Sequence, residues 1–127
     1  MKIFVAGATG AIGLPVVRAL CAMGHDVTGM TRSGPGVDRL REVGASVSTA
    51  DAFNREAVRE AIAKAAPDVV IDELTFLPAN PADIVKSMPM DTRLHEEGGR
   101  NLFDAAEALG VSRYVMQSRG FFLDAGP

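Results

Sequence analysis

The sequence predicts an α/β fold of the doubly wound kind: a five-stranded parallel sheet in the order 3-2-1-4-5 with helices on both faces. Three observations predict it. Short β-rich apolar runs alternate with helix-patterned segments along the 127 residues, which is the signature of βαβ units. The run Val69, Val70, Ile71 is continuously apolar, as in a strand buried on both faces. The first run passes directly into closely spaced glycines. Right-handed crossovers then fix the strand order and place a ligand beyond the strand C-terminal ends, beside strand 1.

The predicted strands are residues 3–6, 26–30, 45–48, 68–71 and 113–116. Between the first two, Ile12, Val16, Val17, Leu20 and Met23 recur at helical spacing, Pro15 sits in the first turn where a missing N–H costs little, and Gly24 closes the helix. Residues 37–43 allow a short helix ended by Gly44. Asn54 is an N-cap for a third helix whose face is Ala57, Val58, Ala61, Ile62 and Ala65, and Pro67 stops it. A proline-rich loop (Pro78, Pro81, Pro89) of roughly 15 residues comes next, longer than ordinary connections and so a candidate functional loop. A long helix is then predicted over residues 91–109, with Leu94, Gly98, Leu102, Ala105, Ala106 and Leu109 on one side and Gly110 closing it.

Composition narrows the function classes. The chain is 47% hydrophobic and 23% charged, enough apolar side chain for one ordinary core. Thirteen Lys and Arg against sixteen Asp and Glu leave a net charge of -3, which argues against nucleic acid or an anionic membrane as partner. Cys21 is the single cysteine, so an intrachain disulfide is excluded, no zinc-type Cys/His spacing occurs, and a reducing, cytoplasmic setting is expected. The run at residues 3–6 is too short for a signal h-region or a membrane span.

The most informative stretch is Gly7-Ala8-Thr9-Gly10-Ala11-Ile12-Gly13, directly after strand 1 and opening a helix. Gly7 allows the tight turn off the strand, Gly10 lets backbone approach a pyrophosphate, and Gly13 lets the helix pack on the sheet. Free N–H groups near Gly10, Ala11 and Ile12 and the positive end of the helix dipole then face the anion. The spacing is one residue longer than G-x-G-x-x-G, and no Gly-Lys-Ser/Thr follows, so a P-loop is disfavoured. At the end of strand 2, where a carboxylate would select NAD, the chain has Met30, Thr31, Arg32, Ser33 and Gly34. A forked guanidinium between two hydroxyls suits a 2′-phosphate, and the cofactor expected is therefore NADP rather than NAD. The alternative for Arg32 is a solvated surface arginine.

These motifs together resemble the extended and atypical short-chain dehydrogenase/reductase families, which hold the NAD-dependent epimerases and dehydratases and the NmrA-like NADP-binding proteins. The resemblance covers essentially the whole chain and implies a Rossmann-type domain. It implies that Asp51, after strand 3, meets the adenine amine; the other reading of Asp51 is a cap for the following helix. The segment from Gly98 to Ala106 is similar to the family's G-T-x-N-L-x-E-A-A helix, with Gly99 in place of the threonine, and Arg113 to Ser118 is similar to its fifth strand. Ala52, Leu74 and Thr75, at strand ends, complete the expected cofactor-binding set.

The family's chemistry uses a tyrosine with a lysine four residues on. Here the one tyrosine, Tyr114, is followed at that distance by Ser118, and it falls inside strand 5, where a packed role is expected. Lys2, Lys64 and Lys86 have no tyrosine four residues before them. The position of the family's catalytic hydroxyl holds Arg119, which leaves Ser118 as the one nearby candidate. Asp72 and Glu73 are adjacent carboxylates after strand 4, but neighbours on a strand face opposite sides, so an acid–base pair is not expected. His25 and His95 lack a partner pattern and are expected at the surface, and Met88 and Met90 are expected to pack the long loop.

Phe121, Phe122 and Leu123 form an apolar stretch that calls for a cover, either a C-terminal half or a protein partner. The favoured reading is the NADP-binding, N-terminal part of a longer oxidoreductase or epimerase, not turning over by itself. Two others stand beside it: a non-catalytic NmrA-like NADP sensor acting through a partner, and an interaction domain whose glycine loop is vestigial.

Overall fold

The structure is a computed structural model that describes residues 1–118 apart from 33, 77 and 79. Ser33, Arg119, Phe121, Phe122 and Leu123 therefore lie outside the described residues. The strands are β1 (Lys2–Ala6), β2 (Asp26–Thr31), β3 (Ser46–Thr49), β4 (Val69–Asp72) and β5 (Arg113–Met116), all parallel, in the order β3-β2-β1-β4-β5. The helices are α1 (Gly13–Ala22), α2 (Gly34–Glu42), α3 (Arg55–Ala65), α4 (Ile84–Arg93) and α5 (Gly99–Ala108).

Alternation along β1 divides the core in two. Phe4 and Ala6 face α3 and α5, where they meet Val58, Ile62, Leu102 and Ala106. Ile3 and Val5 face α1 and α2, where they meet Val17 and Leu40. Both faces of the central strand are thus covered, which explains its unbroken apolar sequence. In register, Ala6 pairs with Met30 on one side and Asp72 on the other, so the residues following β1, β2 and β4 emerge together at one end of the sheet.

Several elements differ from expectation. In α1 the buried residues are Gly13 and Val17, while Ile12 and Met23 are exposed; the helix is short, and its face is narrower than the periodic pattern implied. Three residues earlier than predicted, α2 begins at Gly34, and β3 is displaced by one residue. The largest difference is the long loop. A 3₁₀ turn at Pro81–Asp83 leads straight into α4, so helix begins seven residues before Asp91, and Pro89 lies inside α4. Asn80 caps the turn by accepting from the Ala82 N–H at 3.1 Å, the local contact that lets a proline-rich segment start a helix.

The predicted long helix is not uniform either. Between α4 and α5 the backbone widens into a π turn at Leu94–Gly98, closed by the Gly99 N–H donating to the Leu94 carbonyl. This turn seats Gly98 where an added Cβ would stand 3.0 Å from Leu94 Cδ1 and 3.1 Å from the Ala52 Cβ. Among the described residues no helix is long and apolar enough to cross a membrane.

Candidate functional site

The loop after β1 is shaped by close contacts that only glycine permits. Gly7 has a φ of 69°, and a Cβ there would run into the carbonyl of Glu73. A Cβ on Gly13 would run into the carbonyl of Gly7, so α1 starts flush against the turn. Ile12, the N-cap of α1, offers no side-chain acceptor, and the first-turn N–H groups are left without a capping side chain. An uncapped helix start beside a glycine turn attracts an anion.

A cavity of about 410 Å³ opens at this point, between the ends of β1, β2, β3 and β4. Gly7, Thr9 and Gly10 come from the first loop, Thr31 and Arg32 from the end of β2, Asp51 and Ala52 from the end of β3, and Leu74 and Thr75 from the end of β4. The structure thus brings together most of the residues that the sequence singled out. Ala11, Ile12 and Gly13 stand outside the lining: Ala11 and Ile12 are exposed, and Gly13 is packed beneath the turn.

Second-layer contacts hold these strand ends. Asp51 does not cap α3; Asn54 does, accepting from the Ala57 N–H at 3.1 Å, while Asp51 closes a local turn by accepting from the Phe53 N–H at 2.9 Å. Asn101 on α5 donates to the Ala52 carbonyl at 2.8 Å. Asp72, 2% exposed, accepts from the Leu74 N–H at 3.0 Å and from the Tyr114 hydroxyl at 2.9 Å. Burial, then the charge of Asp72 and the hydrogen bond to it, push the Tyr114 phenol far above its usual range. Its ring also meets Phe103 edge-to-face at 5.3 Å. Glu73 is half-buried, and burial followed by the Asp72 charge raises its carboxyl.

Sequence reasoning missed one side of the cavity. Phe53, Phe76, Met90, Arg93 and Leu94 line it, and the Arg93 guanidinium lies 4.6 Å from the centroid of the Phe53 ring. The long proline-containing segment was the available clue, but it was expected to be a loop rather than a helix. His95 also departs from the expected surface position: its side chain is 17% exposed, with Nε2 3.5 Å from Asp91 Oδ1. His25 is half-buried, its Nδ1 3.3 Å from the N-terminal amine. Ser118 is exposed and is not in the cavity lining.

Residues 7–127 match the NAD(P)H-binding protein family. The chain belongs to that family. Among relatives of this NAD(P)H-binding domain, a 3-diazoavenalumate denitrifying reductase from Streptomyces is 42% identical over 95% of this chain and 38% of the relative. The photosystem II assembly factor Ycf39 of Cyanophora paradoxa is 29% identical over 93% of this chain and 34% of the relative. Among solved structures, the UDP-glucose-4-epimerase of Stenotrophomonas maltophila, with bound NAD and formylated UDP-arabinopyranose, superposes with a TM-score of 0.77. It is 20% identical over 95% of this chain and 38% of that one. The Rossmann-type fold is therefore shared with that epimerase, and the chain is an NAD(P)H-binding domain. It spans under two fifths of the length of the relatives it matches.

Proposed function

We propose that this domain binds NADP as the N-terminal part of a longer reductase of the atypical short-chain type. The observation that carries the reading is Arg32: it lines the cavity at the end of β2, next to Thr31, in a stretch with no carboxylate. An acidic residue there would accept from a ribose 2′-OH and repel a 2′-phosphate, whereas a guanidinium binds the phosphate in a forked geometry. Ser33 belongs to the same proposed set.

The other roles follow from the cavity. The pyrophosphate sits at Gly10, Ala11 and Ile12 against the uncapped start of α1, with Gly7 and Gly13 making that approach possible. Asp51 and Ala52 receive the adenine, and Leu74 and Thr75 border the ribose beyond it. The cavity's 410 Å³ lies within the roughly 300–1,000 Å³ of small-molecule sites, which fits the adenosine portion of the cofactor. When bound, the nicotinamide supplies a hydride to an electrophilic substrate; the residues of this chain bind and orient it. The 42% identity to a reductase favours reduction over epimerisation. Ser118 is the proposed nearby hydroxyl, and the setting is proposed to be cytoplasmic.

The test is thermal unfolding with NADPH, NADH or neither, on the natural sequence and on Arg32→Glu. A nucleotide at about 100 times its dissociation constant adds roughly 2.7 kcal/mol, several degrees for a domain of this size. NADPH is expected to stabilise more than NADH, and Arg32→Glu to abolish that preference. An equal response to both nucleotides, unchanged by Arg32→Glu, would overturn the NADP assignment.

A second reading has a specific observation behind it, the similarity to an assembly factor. In that reading the domain senses NADP and acts through a protein partner that covers Phe121, Phe122 and Leu123. Binding without NADPH oxidation in the full-length protein, together with a partner recovered by crosslinking at those residues, would favour it.

A further inference from the structure

We infer that Asp91 is a positioning residue for the nucleotide cavity: from behind the wall, its carboxylate ties the Thr75–Phe76 segment to α4. The inference rests on the nucleotide reading above and names a residue that reading does not use.

Asp91 is completely buried and does not itself line the cavity. Its Oδ1 accepts from the Phe76 N–H at 2.7 Å and from the Thr75 hydroxyl at 3.3 Å, with His95 Nε2 at 3.5 Å. Two donors from the segment after β4 therefore converge on one oxygen of a residue on α4. Taking a carboxylate out of water is costly unless donors surround it, so the arrangement holds only while both segments are in place. What those segments carry is the cavity. Thr75 and Phe76 line it from the β4 side, and Met90 and Arg93, flanking Asp91 on α4, line it as well. The π turn after α4 brings His95 back towards the same carboxylate, an irregularity of the kind that often accompanies functional sites. Phe76 is 43% exposed, and its N–H bond to Asp91 anchors its backbone from the buried side.

A site wall held from behind in this way sets affinity through geometry rather than contact. The experiment compares Asp91→Asn, Asp91→Ala and Ile62→Ala in the full-length protein. Ile62 is a buried residue near the C-terminal end of α3 that does not itself line the cavity or bond Asp91, and its truncation lowers stability. NADPH dissociation constants are measured by fluorescence titration well below each variant's unfolding midpoint. Amide exchange at Phe76 is followed in the nucleotide-free protein.

Hydrogen bonds to a charged acceptor correspond to roughly ten- to hundredfold in an equilibrium constant, so Asp91→Ala is expected to weaken NADPH by that factor. Asp91→Asn keeps an acceptor and is expected to fall between. Phe76 exchange accelerates in both, while Ile62→Ala binds like the natural protein. Should Asp91→Ala not fold, Asp91→Asn carries the comparison. Folded Asp91 variants that bind NADPH normally would overturn the inference, as would equal weakening by Ile62→Ala. If the natural protein binds neither NADPH nor NADH, the nucleotide reading itself fails, an outcome visible before any variant is made.

Discussion

Tyr114 on β5 donates its phenolic hydrogen to Asp72 Oδ2 at 2.9 Å, so the last two strands are joined by a side-chain bond as well as by their backbone ladder. Because Asp72 also accepts from the Leu74 N–H, the same carboxylate links the sheet edge to the segment that borders the cavity.

This pairing makes the alkaline limb of stability predictable. The folded phenol is raised well above its unfolded value of about 10. The stabilisation is fully present below pH about 10 and is lost as pH rises beyond it, because the unfolded chain ionises first. With one tyrosine and no tryptophan, absorbance at the phenolate band reports Tyr114 alone. The expected titration shows no phenolate until the protein unfolds, and Asp72→Asn lowers the onset. A phenolate forming near pH 10 in folded protein would contradict the assignment.

The glycines of the first loop should separate folding from binding. At Gly13 a Cβ meets the Gly7 carbonyl, a backbone group that cannot move without shifting β1, so Gly13→Ala is expected to cost more than about 2 kcal/mol. At Gly10 the nearest atom is the Gly7 carbonyl oxygen at 3.4 Å, an ordinary contact, so Gly10→Ala is expected to fold with a change of under about 1 kcal/mol. Its methyl group would nevertheless stand where backbone must approach the pyrophosphate. Urea unfolding and nucleotide titration on the pair check this: Gly10→Ala folds and binds poorly, Gly13→Ala folds poorly.

Asn101 offers a third check, since its amide holds the Ala52 carbonyl from α5. Asn101→Ala leaves that acceptor without its donor and is expected to cost about 1–3 kcal/mol in chemical denaturation. By contrast Asn54→Ala, which removes only the cap of α3, is expected to cost about 1 kcal/mol. Equal losses would mean that solvent replaces Asn101.

Most of the fold was legible because its determinants are local and periodic. The continuously apolar residues of β1 and β4 announce strands covered on both faces, and Gly7 and Gly13 stand where a strand turns into a packed helix. The part of the site contributed by strand ends was legible for the same reason, since topology alone brings Thr31, Asp51 and Leu74 beside Gly10. The side built from α4 was not. Pro89 is a helix breaker by every local rule, and only tertiary contacts such as Asp91 with the Phe76 N–H outweigh it. Partnerships across the chain, such as Phe53 with Arg93 or Tyr114 with Asp72, have no spacing that a sequence could display.

Pro89 supplies the last prediction. It is the sixth residue of α4, so it lacks the N–H that would bond the carbonyl of Val85 one turn earlier. A proline inside a helix costs about 3 kcal/mol relative to alanine, while loosening the unfolded chain by removing it costs about 0.4–1 kcal/mol. The first effect is larger, so Pro89→Ala is expected to raise stability by about 2 kcal/mol, measured as a higher denaturant midpoint with an unchanged slope. Met90 and Arg93, on the C-terminal side of Pro89, line the cavity, so nucleotide affinity is expected to fall as stability rises. A lower midpoint would show instead that packing of the Pro89 ring is worth more than the missing hydrogen bond.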